Sequence, residues 1–304
     1  MSPFQTRGAP LAALSLLLIS LFLAARSGGL FERSPLIAHK TRSTAPDAAS
    51  APLRAGYRRP NYRSFPDLPA AIREASRLNR PIFLDLFAVW CTPCKKLEAE
   101  TFSHPLIAPL LDRFLVVKFD IDQPTGKSIT QRYQIGRFPT TLILDPQGRE
   151  VERIVGYYAA RFFAPPLRAT LEKRLRYEDL RHTPAYTRDL PQQLAYAERL
   201  LLRREIGPAR TLFQRLQQHD RQDQQRIGAA ALFGEARALA RINAYTQALP
   251  LLSRFHTLYP QSPLRIDVYR LEISCYRELK RDQEYQKHLT LFQKRYPKAT
   301  ITFD

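Results

Sequence analysis

Two cysteines in the chain have a spacing that suits dithiol redox chemistry. Cys91 and Cys94 are separated by Thr92 and Pro93. The apolar run 81–89 before them predicts a buried strand, and the good helix formers in 95–100 predict a helix after them. Cys91 is therefore expected at a helix N-terminus. Unpaired backbone N–H groups and the positive end of the helix dipole favour a thiolate there.

A thiolate with a lowered pKa is the nucleophile of thiol–disulfide exchange. We predict that Cys91 attacks a target disulfide, and that Cys94, one turn further into the helix, resolves the mixed disulfide by attacking Cys91. Pro93 suits the first helical turn, where its missing N–H costs nothing. Thr92 and Pro93 are expected to tune the reduction potential. The Cys91–Cys94 disulfide itself is the redox group, so we expect no other cofactor.

Two structural interpretations of the cysteine pair compete with this one. A zinc site is disfavoured, because Cys275 is the only other cysteine and the six histidines lack metal-ligand spacing. An inert structural disulfide is disfavoured, because a strand-to-helix junction with Trp90 just before Cys91 is not a loop that needs a crosslink. Cys275 shares an apolar helix face with Val268 and Leu271, which predicts a buried, inert thiol.

The residues around the pair resemble the thioredoxin superfamily over about 65–176. The resemblance rests on the Cys-x-x-Cys pair, on Asp85 in the preceding strand and on Lys118 in the next apolar strand. It implies an α/β thioredoxin fold, with a central mixed sheet flanked by helices. It also implies that Asp85 is a buried acid behind the resolving Cys94, and that Lys118 packs near this acid.

The same resemblance implies which residues contact substrate. Pro139 matches the family's cis-proline opposite the cysteine pair, although general frequencies predict a trans bond. In the cis geometry the backbone of Phe138 pairs with an extended substrate strand. We therefore assign substrate binding to Trp90, Phe138 and Pro139. The chain departs from the family in two places: Phe138 is larger than the usual residue, and Thr92 replaces a common glycine.

The segments 100–105 and 119–122 are most similar to the thioredoxin-like domain of envelope disulfide reductases, including the C-terminal domain of the transmembrane electron-carrying type. This similarity implies an enzyme, a thiol–disulfide oxidoreductase whose substrates are protein disulfides. We prefer the reductase direction, which requires a membrane electron donor in an oxidising compartment. A disulfide oxidase or isomerase stays open, because the sequence does not define the reduction potential.

The N-terminal region points to export. An apolar run over 11–25 lies between Arg7 and Arg26, which predicts a signal peptide or membrane anchor at 1–26; we favour the anchor. The stretch 27–62 is rich in Ser, Ala, Pro, Arg and Lys and predicts a flexible basic linker. We expect a protein of the bacterial periplasm, tethered to the inner membrane.

The net charge of +19 raises the question of which negatively charged partner the protein binds. The basic residues are spread along the chain without a dense basic block, so we expect no nucleic-acid binding. The basic residues near the N-terminal segment are better explained by an anionic membrane surface.

Periodicity changes after the predicted thioredoxin-like domain at 63–180. Over 185–304 apolar residues recur at helical spacing, and segments starting at Ala209, Ala248 and Tyr285 align at offsets of 39 and 37 residues. This predicts three tetratricopeptide-like helix pairs, which usually bind a protein partner. One alternative is a helical cap that stabilises the redox domain. The other is an envelope scaffold whose thioredoxin-like part is a docking module.

Overall fold

The computed structural model describes residues 53–173, 177–182, 189–220, 223, 226–299 and 301. These residues belong to one compact unit, in which an α/β part precedes an all-α part. The predicted signal peptide or anchor at 1–26, and the linker as far as residue 52, lie outside the described residues. Within the described ranges, no helix has both the length and the apolar character needed to cross a membrane.

The α/β part has four strands and five helices. In chain order they are α1 (Leu68–Leu78), β1 (Ile82–Phe87), α2 (Thr92–Leu97), α3 (Ala108–Leu111), β2 (Leu115–Asp120), α4 (Pro124–Arg132), β3 (Thr140–Leu144), β4 (Glu150–Val155) and α5 (Ala160–Leu171). A π-helical segment, Glu98–Phe102, directly continues α2.

The strands form one mixed sheet in the order β2-β1-β3-β4. Strand β1 runs parallel to β2 and antiparallel to β3, and β3 runs antiparallel to β4. Strand β1 is central because it is apolar on both faces, as expected for a strand covered on both sides. Asp85 is its one polar residue, and it lies opposite Lys118 on β2 and Thr141 on β3. The mixed α/β sheet predicted from the sequence is confirmed.

Alternate residues of β1 pack in two different hydrophobic clusters. Ile82, Leu84 and Leu86 pack in the same cluster as the two cysteines. Phe83 packs in the other cluster, where its ring meets Phe102 edge-on at 5.0 Å between centroids. This alternation is the period of two expected of a strand.

The residues just before α1 contact the α/β part. The backbone N–H of Arg58 donates to Ser103 O at 2.9 Å, and its guanidinium pairs with Asp112 at 2.6 Å. Arg63 forms a β-bridge with Val117. The composition of 27–62, which shows no periodicity, predicted a linker that includes 53–62. Their order comes from contacts with distant residues, which local composition does not reveal.

Among its described residues, the all-α part contains a short helix, α6 (Tyr177–His182), and six longer helices. These are α7 (Leu190–Leu202), α8 (Ile206–His219), α9 (Ile227–Ala240), α10 (Tyr245–Leu258), α11 (Arg265–Glu278) and α12 (Asp282–Arg295). Consecutive members of the six pack together, and α9 also packs against α7 and α11. The predicted helical C-terminal region is confirmed.

The six helices form three pairs with equivalent junctions. Arg204, Asn243 and Lys280 each lie two residues before the second helix of a pair, and each has a left-handed backbone with φ of 61°, 60° and 55°. A left-handed residue is a common way to end a helix. The three junctions follow the spacing of the aligned sequence segments, which supports helix-pair repeats. The tetratricopeptide-like assignment stays a prediction.

The all-α part packs on strand β4 and on the start of α5. The Tyr158 hydroxyl donates to Leu201 O at 2.9 Å. Arg199 pairs with the buried Glu152 at 2.8 Å, and Arg203 pairs with Glu150 at 2.8 Å. Burial, opposed by Arg199 and Arg203, raises the pKa of Glu152 to about 7. The two parts of the compact unit therefore share a contact surface that contains one buried and one partly buried ion pair.

Gly234 provides a test of the packing between α8 and α9. A Cβ at this position would overlap the ring of Phe213, which is fully buried. We expect Gly234→Ala to lower the free energy of unfolding by about 1–3 kcal/mol, measured by urea denaturation. Gly207→Ala in α8 is the control: a Cβ there meets nothing within 4 Å, so we expect a gain of up to about 1 kcal/mol. Equal stability of Gly234→Ala and the native chain would contradict the packing.

Candidate active site

The two cysteines form a disulfide at the start of α2, with 5.3 Å between their Cα atoms. Cys91 is the N-cap residue of this helix, and its Sγ accepts a hydrogen bond from the backbone N–H of Cys94 at 3.2 Å. Helix N-terminal N–H groups stabilise a thiolate, so the position suits Cys91 as nucleophile. The exposed fractions of Cys91 and Cys94, 2% and 5%, do not distinguish the two roles. The assignment therefore rests on helix position.

The surface beside the disulfide is apolar and open. Val89 and Trp90 are 66% and 64% exposed, and Thr92 and Pro93 are exposed as well. The Trp90 indole N–H donates to an Asp122 carboxylate oxygen at 2.8 Å, which fixes the ring on the surface. Exposed apolar groups next to a reactive pair suit contact with a protein substrate. The sequence predicted Trp90 for this surface, whereas the anchoring by Asp122 was missed.

Phe138 and Pro139 lie in the segment before β3. Their peptide bond is cis, as the family resemblance implied and general frequencies did not. Phe138 is half-buried against the core cluster that contains both cysteines. The carbonyl of Pro139 accepts from the Gly156 N–H at 2.8 Å, and Gly156 has φ of 101°, a region that favours glycine. The structure thus places Phe138 against the same core cluster as the disulfide.

Asp85 is buried in the centre of the sheet, with 3% of its surface exposed. Burial raises the pKa of this carboxyl to about 7, against the attraction of Lys118. The charge of Glu98 raises the pKa further, and a hydrogen bond from the Tyr62 hydroxyl, at 3.1 Å, lowers it. A carboxyl with this pKa can hold or release a proton near neutral pH.

Lys118 is adjacent to Asp85 in the sheet and forms its ion pair with Glu98. Its ammonium also lies over the Phe87 ring, 4.2 Å from the centroid, and over the Tyr62 ring at 5.1 Å. Burial, followed by the charges of Asp85 and Glu98, raises the pKa of Tyr62 well above its ordinary value. The structure therefore assembles four interacting polar groups in and beside the sheet.

Sequence reasoning missed Glu98 and Tyr62. Glu98 had a usable signal, because it follows Cys94 by four residues and so lies on the same side of the helix. Tyr62 had none, since it ends a stretch with the composition of a linker. Glu98 connects the polar group around Asp85 to the helix that carries Cys94.

Cys275 lies away from this site on α11, fully buried and without a disulfide. Burial, with added repulsion from Glu272 and Glu278, raises the pKa of its thiol to about 12. A thiol with such a pKa is protonated at neutral pH and does not react. This agrees with the predicted buried, inert thiol.

Comparison with known proteins identifies the α/β part. Residues 68–170 match the family described as thioredoxin-like domain. This part of the chain is a thioredoxin-like domain. It carries the Cys91–Cys94 pair and is related to disulfide oxidoreductases.

Two curated relatives are thiol:disulfide interchange proteins. The chain is 30% identical to DsbD of Ralstonia nicotianae over 112 residues, which are 36% of this chain and 18% of the relative. It is 28% identical to DsbD 1 of Pseudomonas aeruginosa over 162 residues, 52% of this chain and 27% of that protein. The chain thus spans only about a fifth to a quarter of the length of these relatives.

Two solved structures are also similar to the thioredoxin-like domain. A thioredoxin from Thermus thermophilus is 27% identical and covers 35% of this chain and 85% of its own, with a TM-score of 0.33. The reduced C-terminal domain of DsbD from Neisseria meningitidis is 24% identical and covers 33% of this chain and 91% of its own, with a TM-score of 0.31.

The roles of the two cysteines can be tested by trapping. We expect Cys94→Ala to accumulate mixed disulfides through Cys91, because the resolving thiol is missing. Envelope extracts treated with this variant should yield covalent partners on non-reducing gels that disappear on addition of dithiothreitol. The matched variant Cys91→Ala should capture far fewer partners. A failure of Cys94→Ala to capture any partner would contradict the assignment.

Proposed function

We propose that this protein is an exported protein-disulfide reductase of the bacterial periplasm. The observation that carries the proposal is the Cys91–Cys94 disulfide at the start of α2, beside the exposed apolar surface of Val89 and Trp90. A protein substrate can lie on this surface and present its disulfide to Cys91. The curated relatives are thiol:disulfide interchange proteins, which supports the same chemistry.

The reaction starts from the reduced dithiol. The Cys91 thiolate attacks one sulfur of the substrate disulfide, which forms a mixed disulfide and releases one substrate thiolate. Cys94 then loses its proton and attacks the Cys91 sulfur, which releases the second substrate thiolate. Two electrons pass to the substrate, and the protein is left with its disulfide. Asp85, with a pKa of about 7, is the group proposed to take the proton of Cys94.

Continued turnover requires a source of electrons. The disulfide is the only redox group that the proposed reaction uses, and an electron donor in the membrane would return it to the dithiol. The apolar run at 11–25 supports export, as a signal peptide or as an anchor, and as an anchor it would hold the protein at the inner membrane. The basic residues near it suit an anionic membrane surface.

The helical region is proposed to bind a protein partner. We propose domains at 63–180 and 185–304, the second being tetratricopeptide-like. The three equivalent junctions at Arg204, Asn243 and Lys280 support the repeats. Stacks of helix pairs commonly offer an extended surface for another protein. Two ion pairs join this region to β4 of the redox domain. A partner bound to the helices would therefore lie next to the redox domain.

The reduction potential of the Cys91–Cys94 couple tests the direction of the reaction. The protein without residues 1–26 is equilibrated with glutathione and dithiothreitol buffers, and the thiols are quantified by alkylation. We expect a reduction potential of about −270 mV, as for thioredoxin. A reduction potential of about −120 mV, as for strong oxidants, would overturn the reductase proposal and indicate disulfide formation. The variant Cys275→Ala should give the same potential as the native chain.

A further inference from the structure

A cavity of about 370 Å³ lies where helices α9 and α11 meet α5 of the thioredoxin-like domain. Five guanidinium groups line it, from Arg204, Arg237, Arg241, Arg270 and Arg277. Its acidic lining consists of Asp267 and Glu278. We call this site the arginine cavity. Its lining has an excess of positive charge, and its volume suits one or two side chains or a small ligand.

Three of the arginines are paired with carboxylates. Arg270 pairs with Asp267 at 2.9 Å, and Arg277 pairs with Glu278 at 2.8 Å. Arg237 donates to both oxygens of a Glu198 carboxylate, which is not part of the lining, at 2.8 and 2.9 Å. Both acidic groups of the lining therefore already have arginine partners.

Arg204 and Arg241 differ from these three. Arg204 donates to Arg241 O at 2.7 Å, and Arg241 donates to Tyr157 O at 2.8 Å. The Arg241 guanidinium also stacks over the Tyr158 ring, 3.8 Å from the centroid. Within the part of the chain that the structure describes, neither guanidinium is in an ion pair. Two cationic groups thus line the cavity without a neutralising carboxylate.

Two further observations favour a negatively charged ligand beside these arginines. Arg237 is only 8% exposed. Its Nη2 group is buried and has no hydrogen-bond partner among the described residues. Burial, and then repulsion by Arg137 and Arg241, lowers the pKa of Arg204. A bound carboxylate would offset this repulsion, and it suits guanidinium donors in both charge and shape.

The arginine cavity adjoins the segment assigned to substrate contact. Arg241 donates to Tyr157 O, and the neighbouring Gly156 N–H donates to Pro139 O. Arg137, which repels Arg204, is two residues before Pro139 in the chain. A substrate strand along Phe138 and Pro139 can therefore continue towards the cavity.

We propose that the arginine cavity binds acidic side chains of the substrate protein, in a segment close to the disulfide that the Cys91–Cys94 pair reduces. This inference rests on the proposed function and names the substrate class of that site. Arg204 and Arg241 form hydrogen-bonded ion pairs with the substrate carboxylates. The all-α part thereby selects substrates for the thioredoxin-like domain.

The test uses two disulfide-bonded peptides, one flanked by a run of glutamates and the other by the same number of glutamines. We expect the native protein to reduce the glutamate peptide with a kcat/KM about tenfold higher, equivalent to about 1.4 kcal/mol. The ratio of the two kcat/KM values, glutamate peptide over glutamine peptide, should decline as salt is added, because salt screens charge attraction. In Arg204→Gln/Arg241→Gln the ratio should fall to about one.

A matched control removes the same charge elsewhere. Arg215 and Arg254 are exposed on α8 and α10 and do not line the cavity, so Arg215→Gln/Arg254→Gln should keep the native ratio. Arg241 also stabilises the contact between the two parts, so its replacement can disturb folding. The single variant Arg204→Gln keeps Arg241, and thermal unfolding checks that it is folded. It should lower the ratio several-fold. A ratio near one in the native protein, or an unchanged ratio in Arg204→Gln, would overturn the proposal.

A separate binding measurement distinguishes this inference from the proposed function. A fluorescent glutamate-rich peptide without cysteines is titrated into the oxidised protein, and its anisotropy is followed. Binding that weakens in Arg204→Gln supports the cavity even if neither disulfide peptide is reduced, in which case the reductase proposal fails. Equal reduction of both peptides, without anisotropy change, overturns the acidic-segment site and leaves the reductase proposal intact.

Discussion

Replacement of Cys91 by Ser is expected to reduce the rate of insulin disulfide reduction to the uncatalysed background. A serine hydroxyl is not ionised at neutral pH, so the attack that forms the mixed disulfide is lost. The turbidity of precipitating insulin chains, with dithiothreitol as reductant, measures the effect. The structure supports a large loss, because Cys91 alone is at the N-cap of α2, where backbone N–H groups stabilise a thiolate.

The control and the opposite outcome of this experiment are both informative. Cys275→Ala removes a buried thiol that is protonated at neutral pH, and we expect it to keep full activity. If Cys91→Ser is also fully active, the dithiol is not the catalyst. If the native chain reduces no insulin but both it and Cys91→Ser capture the same partners, the protein is a scaffold with a docking thioredoxin-like domain.

Replacement of Asp85 by Asn is expected to stabilise the oxidised protein above neutral pH. In the folded state the pKa of Asp85 is about 7, whereas an exposed carboxyl has an ordinary value of 3.8. Between these values the folded state holds a proton that the unfolded chain has lost. The free energy of unfolding therefore falls as the pH rises from about 4 to about 7.

Asparagine avoids the cost of a buried negative charge. We expect Asp85→Asn to be more stable than the native protein by up to about 4 kcal/mol at pH 8, with the gain declining towards pH 4. Guanidinium denaturation of the oxidised proteins at several pH values measures this difference. Asp112→Asn is the control, since Asp112 is exposed and pairs with Arg58 on the surface. A gain for Asp85→Asn that is the same at all pH values would contradict the raised pKa.

The same variant is expected to lose activity. Without a carboxyl to accept the proton of Cys94, the resolution of the mixed disulfide should slow by about 10²-fold near pH 7. Rapid-quench measurement of the mixed disulfide separates this step from the first attack, which should be little changed. An unchanged resolution rate would show that Asp85 is a structural carboxyl and that water accepts the proton.

Local patterns in the sequence determined several elements of this protein. The strand before Cys91, the helix after it and the helical character of the C-terminal region follow from composition and periodicity, which act between near neighbours. The offsets of 39 and 37 residues between aligned segments gave the spacing of the helix pairs. The cis bond before Pro139 came from family resemblance, because the local sequence favours trans.

Tertiary structure decided the remaining features. Tyr62 donates to Asp85 across 23 residues, and Arg241 donates to Tyr157 O across 84 residues. The raised pKa of Asp85 and the arginine cavity both depend on which distant groups are brought together and how deeply they are buried. The sequence by itself determined the dithiol and the elements that carry it. Only the packing of distant segments decided the electrostatic surroundings of Asp85 and of the cavity, because burial and charge pairing act between residues far apart in the chain.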